Sequence, residues 1–149
     1  MKDYSSLPDG MTVDEVAREF EEALAAIQAQ PPPSDSEVVT ALGELADRQW
    51  HTYQVLRPDL RAAVEAWLHA HWSTESEDYV GQMVCIIGRL GLQSLMDRIE
   101  HALTGSLPDD VRQVLQVYLE ETRGDVSDPF RGMKDPRFRY VDRDPRGDR

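Results

Sequence analysis

The sequence predicts an all-α fold of about six amphipathic helices in short antiparallel pairs, followed by an irregular C-terminal tail. Three features predict it. Apolar residues recur at three- and four-residue steps, the spacing of one helix face. Ser or Thr with Glu three positions later precedes several of these stripes, as in a helix N-terminus. Proline or glycine stands between stripes, where a helix has to stop or restart. The resulting division is a loose leader over residues 1–11, a helical domain over 12–124 and a charged tail containing Pro and Gly over 125–149.

The first helix is predicted from Thr12-Val13-Asp14-Glu15, which has the form of a capping box. Val13, Val16, Phe20, Leu24 and Ile27 make its stripe, and Pro31-Pro32-Pro33 ends it. Ser34-Asp35-Ser36-Glu37 repeats the capping pattern before Val38, Val39, Leu42, Leu45 and Ala46, with Trp50 and Tyr53 as an extension. Gly43 weakens this second helix by roughly 1 kcal/mol relative to Ala. Pro58 starts the third, whose stripe is Leu60, Ala63, Val64, Trp67 and Leu68. Ser73, Thr74 or Ser76 caps the fourth. Its Val80, Met83, Val84, Ile86, Ile87 and Leu90 are too apolar for an ordinary surface helix, which makes it the central one. Gly91 ends it in a left-handed conformation. Leu92, Leu95, Met96, Ile99 and Leu103 form the fifth stripe, closed by Gly105. Pro108 opens the sixth, with Val111, Val114, Leu115, Tyr118 and Leu119 inward and Gly124 at its end. In the tail only Phe130, Met133, Phe138 and Tyr140 are sizeable anchors, lying across the helices; Phe138-Arg139-Tyr140-Val141 reads as extended but has no partner strand.

The net charge is −12 over 149 residues. Seven basic and six acidic groups nearly cancel beyond Gly124, so residues 1–123 hold nine basic against 22 acidic groups. A body this acidic repels nucleic acid and anionic membrane and attracts a basic protein. The same charge also serves solubility. No apolar run is long enough to span a bilayer, the N-terminus lacks the sections of a signal peptide, and Cys85 is the only cysteine. These features predict a cytoplasmic protein.

No sequence motif for catalysis, metal or phosphate binding is present, so neither a catalytic residue nor a cofactor is expected. His69 and His71 lie about 200° apart on a helix and diverge. Cys85, between Val84 and Ile86, reads as a small buried hydrophobe. His51 and His101 read as surface or boundary residues, and the tail Asp125, Asp128 and Asp135 as local partners of Arg131, Lys134 and Arg137. Trp67 has core spacing. Trp50 and Trp72 belong to no clear stripe; core or rim packing accounts for them, but if exposed they would anchor a partner. With the acidic Glu75, Glu77 and Asp78 they are the candidate partner-binding residues.

Pro58–Leu68 can be laid over Pro108–Leu119 with one inserted residue, sharing Pro-Asp, then aliphatic-Arg and a final aromatic-Leu. Helix pairs stacked side by side would make a HEAT-like array in place of a bundle; any two amphipathic helices opening with Pro-Asp would also look alike. With its short helical repeats, its acidity and the segment Val126-Ser127-Asp128-Pro129-Phe130-Arg131-Gly132-Met133, the chain resembles the small acidic all-helical immunity proteins of bacteria. The resemblance implies a non-enzymatic module that neutralises a basic toxin such as a nuclease, and it transfers no functional residue. A HEAT-like adaptor with a non-toxin partner is the second reading. An enzyme using scattered carboxylates and histidines is the third.

Overall fold

The computed structural model describes residues 1–131, so Met133, Phe138, Tyr140 and the extended reading of residues 138–141 lie outside it. Six α-helices follow in order: α1 (Val13–Ile27), α2 (Asp35–Trp50), α3 (Pro58–Ala70), α4 (Glu77–Leu90), α5 (Met96–Leu103) and α6 (Asp109–Thr122). Short 3-10 turns occur at Tyr4–Ser6 and Gln93–Leu95, and no strand occurs among the described residues.

The caps explain the starts. Thr12 accepts the Glu15 amide while Glu15 accepts the Thr12 amide at 2.9 Å, closing the capping box. Ser34 accepts the Glu37 amide at 3.1 Å, and of the three hydroxyls before α4 it is Ser76 that caps, through the Tyr79 amide. Gly91 ends α4 at φ 70, in the left-handed region that glycine enters without a Cβ clash. α2 stops at Trp50 and does not run through Tyr53, whose backbone has φ 59.

One core holds the helices together. Val16, Phe20, Leu42, Leu45, Val64, Leu68, Val80, Ile86, Ile87, Ile99 and Leu115 are all fully buried. Each such aliphatic or aromatic side chain contributes about 1.5–3 kcal/mol by leaving water. Val13, in the first turn of α1, and Ala63, at the margin of the α3 stripe, are exposed instead.

α4 lies between α2 and α6 and packs on both. α2 and α4 run parallel, because Thr40 meets Gln82 and Asp47 meets Arg89, seven residues further along each helix. α6 follows the same direction: Gly88 abuts Tyr118, and Gly91, just past α4, touches Val126, just past α6. Alternate helices thus form one layer, with α1 and α3 packed on each other and α5 against α6. Sequential pairing is clear at α1–α2 and α5–α6. The likeness of Pro58–Leu68 to Pro108–Leu119 does not mark the repeat, however. It equates α3 with α6, an odd helix with an even one, and a two-helix unit cannot map one onto the other.

Both ends of the described chain are packed, which corrects the reading of residues 1–11 as loose. Tyr4 is 2% exposed. The buried guanidinium of Arg48 donates to the Ser5 and Leu7 carbonyls at 3.2 and 2.8 Å, and Lys2 pairs with Glu19 and Glu22. No helical periodicity signals this segment, because Tyr4 is buried and Leu7 and Met11 pack against the core at irregular spacing. After α6 the Gln93 side chain donates to the Gly124 carbonyl at 2.9 Å and accepts from the Val126 amide at 2.7 Å. Val126 is thereby buried, and Pro129 and Phe130 reach Trp50.

Candidate functional site: an acidic trough across alternate helices

The exposed face of the α2–α4–α6 layer is a trough in two joined parts. One, of about 730 Å³, is lined by Thr40, Gly43, Glu44 and Asp47 of α2 and by Gly81, Gln82, Cys85 and Arg89 of α4, among others. The second, of about 650 Å³, runs between α4 and α6 past Val84, Val114, Val117 and Tyr118. Glu77, Cys85 and Val114 border both parts.

Its chemistry follows from helix periodicity. The buried stripe of α4 turns the opposite face outward, and that face carries Asp78, Gly81, Cys85 and Arg89. Cys85 is therefore exposed, which overturns its reading as a buried hydrophobe. Its chain neighbours are apolar, but it stands two residues, about 200°, from both Met83 and Ile87. The floor on the α6 side is apolar, with Val117 37% exposed. The rim is acidic. Glu44, Asp47, Glu77, Asp78, Asp110 and Glu121 surround the trough, and Arg89 is the one base among the lining residues. Its guanidinium is held 3.5 Å from Asp47.

Two glycines shape the α2–α4 part. Gly43 and Gly81 lie inside helices, where glycine costs about 1 kcal/mol relative to alanine. A Cβ on either would meet nothing within 4 Å. Packing within the fold therefore does not require them, and their effect is to lower the trough floor. Gly88 differs, because Tyr118 stands where its side chain would be. Burial pushes the Tyr118 hydroxyl pKa up, and the nearby Cys85 adds to the shift.

The residues singled out in the sequence do not gather in one place. Glu77 and Asp78 occupy the first turn of α4 and line the trough; Glu75 is exposed just before it. Trp50, the last residue of α2, is half-buried: its indole donates to the Pro129 carbonyl at 3.2 Å and stacks on Phe130 at 6.2 Å between centroids. Trp72 is half-buried against the core with the Arg98 guanidinium 5.2 Å from its ring. It lies near the opposite end of α2, since the neighbouring His71 pairs with Asp35 at 2.9 Å. A helix of this length separates the two tryptophans by about 20 Å. Both are engaged within the chain and are not free anchors. His69 and His71 diverge, His69 toward Ser94 and His71 toward Asp35 and the Trp67 ring. Among the described residues no three His, Cys, Asp or Glu side chains form a metal-holding group. No described helix is long and apolar enough to cross a membrane.

The trough itself was missed in the sequence. Gly43 and Gly81 carry no side chain for a periodicity argument to use, and the trough exists only once α2, α4 and α6 lie side by side. In comparisons with known proteins, the chain matches no family model, no curated protein and no solved structure.

Proposed function

We propose that this protein is a binding module for a basic partner protein, received at the acidic trough. The observation that carries the reading is the trough's composition: an apolar floor inside a rim of six carboxylates, of which Glu44 and Asp47 are paired with Arg48 and Arg89 while Glu77, Asp78, Asp110 and Glu121 have no ion pair among the described residues. Uncompensated negative charge of this kind steers a basic surface toward it and speeds encounter. The trough is open along its length, and a small molecule in such a site would stay largely in water, whereas tight small-ligand sites enclose their ligand. Neutralising a basic toxin, as immunity proteins do, is the specific role that accords with the acidity and helical build; an adaptor with a non-toxin basic partner would use the same surface.

The test is affinity capture from the native host with the wild type and with a Glu77→Lys/Asp110→Lys variant. Expected is a basic protein retained by the wild type, lost with the variant, and binding several-fold more slowly when salt is raised from low to physiological levels. A partner that is acidic, or that binds both forms equally at every salt concentration, would remove this reading.

A further inference from the structure

The geometry points to a helix as the element that the trough receives: an amphipathic basic helix of the partner, seated on Gly43 and Gly81 with its apolar stripe toward Val114 and Val117. This rests on the basic-partner reading and adds the occupant's shape. The walls are three helices, so their mid-helix backbone groups are already hydrogen-bonded within each helix. An extended segment would find no sheet edge to pair with and would leave its own amides and carbonyls to water. A helix arrives with its backbone satisfied and offers a stripe and two flanks.

The trough matches those parts. Val114 and Val117 supply apolar contact, and Glu77, Asp78, Asp110 and Glu121, which have no ion pair among the described residues, stand where arginines or lysines flanking a stripe would reach. Gly43 and Gly81 leave open the space that their side chains would take, so a helix axis can approach closely. Packed helices lie about 8–10 Å apart, and small residues at the crossing favour the shorter end of that range. These two glycines weaken α2 and α4 without a packing need inside the fold, which a close-fitting occupant would account for. A second copy of this chain is a poor occupant, because it would bring the same acidic surface to the acidic rim.

The probe is a synthetic peptide of about 18 residues with a Leu/Ala stripe flanked by Arg, compared with a peptide of the same composition whose order destroys the stripe. Each is titrated into the isotope-labelled protein and followed by amide NMR shifts. Expected are shifts at Gly43, Gly81, Cys85 and Val117, and affinity at least tenfold weaker for the scrambled peptide. Gly43→Leu and Gly81→Leu should each weaken the helical peptide at least tenfold while leaving the melting temperature equal or higher, since their side chains enter open space. Equal binding of both peptides would overturn the helix while leaving the basic-partner reading standing. Shifts confined to another face would overturn the seat. Binding of neither peptide would overturn both. Concentration-dependent dimerisation abolished by Gly81→Leu would put a second copy in the trough and also overturn the proposal.

Discussion

Tyr118 places its phenolic oxygen 2.9 Å from the position a Cβ on Gly88 would take. That oxygen is buried and has no hydrogen-bond partner among the described residues. The two residues fix the spacing of α4 and α6, and they separate a glycine the fold needs from glycines it does not. Gly88→Ala gains helix propensity but forces the ring to move, and overpacking of this kind costs about 1–3 kcal/mol. Gly88→Ala should therefore be less stable than Gly81→Ala by about that amount in urea unfolding. Tyr118→Phe removes an unsatisfied buried hydroxyl and should be neutral or stabilising. Combined with Gly88→Ala it should recover much of the loss, an interaction a double-mutant cycle measures. Strict additivity would mean that the contact does not set the spacing.

Ile86 is fully buried on the side of α4 facing the core. Ile86→Asp removes that packing and buries a carboxylate without a partner, a change expected to cost more than about 4 kcal/mol. The helical circular-dichroism signal at 222 nm should collapse at room temperature. Cys85→Asp, one residue away and outward, should keep the wild-type spectrum. A folded Ile86→Asp, or an unfolded Cys85→Asp, would reverse the assignment of the two faces.

These adjacent residues show what the sequence could reveal. Caps and stripes are local, so Thr12, Ser34, Gly91 and the apolar positions of α4 could be read directly. Cys85 was misread because its neighbours in the chain are apolar, although helix phase alone places it opposite the core. Phase could have corrected that error; nothing local could have found Arg48. Its role depends on Ser5 and Leu7, some forty residues away, to whose carbonyls it donates. The trough is further still from sequence, because its edges come from three helices and its floor from missing side chains. Of the five proposed contact residues, the acidic Glu77 and Asp78 line the trough. The tryptophans were chosen by size, and size did not distinguish an outer anchor from one already covered by Phe130 or Arg98.

Arg48 yields a separate prediction. Its side chain is 7% exposed and joins the Ser5 and Leu7 carbonyls to Glu44 on its own helix. Arg48→Ala leaves two carbonyls without their donor and withdraws the support over Tyr4. The loss should be about 2 kcal/mol, the usual scale for charge-assisted bonds. Amide exchange should accelerate over residues 4–7 well before the helices open, because this segment has few other tethers. Exchange unchanged there would show that Lys2, Tyr4 and Leu7 hold it without Arg48.

Alkaline pH should loosen the fold before the helices would otherwise yield. Burial, reinforced by the Glu22 carboxylate, pushes the Tyr4 hydroxyl pKa from 10.0 up to about 12. Burial, with Asp35 beside it, does the same to Tyr79, whose hydroxyl donates to the His71 carbonyl at 2.8 Å. The folded chain therefore holds these protons more tightly than the unfolded chain. Below pH 10 both states are protonated and the stabilisation is complete. Between 10 and 12 the unfolded state binds fewer protons, so stability falls as pH rises. Urea midpoints should decline across that window, and Tyr4→Phe should flatten part of the decline by removing one titrating group. Tyrosinate absorbance near 295 nm should show slow-titrating tyrosines while the helices remain intact. If every tyrosine ionised near pH 10 with the helical signal undisturbed, neither ring would be shielded as the fold requires, and the packing of both chain segments would have to be redrawn.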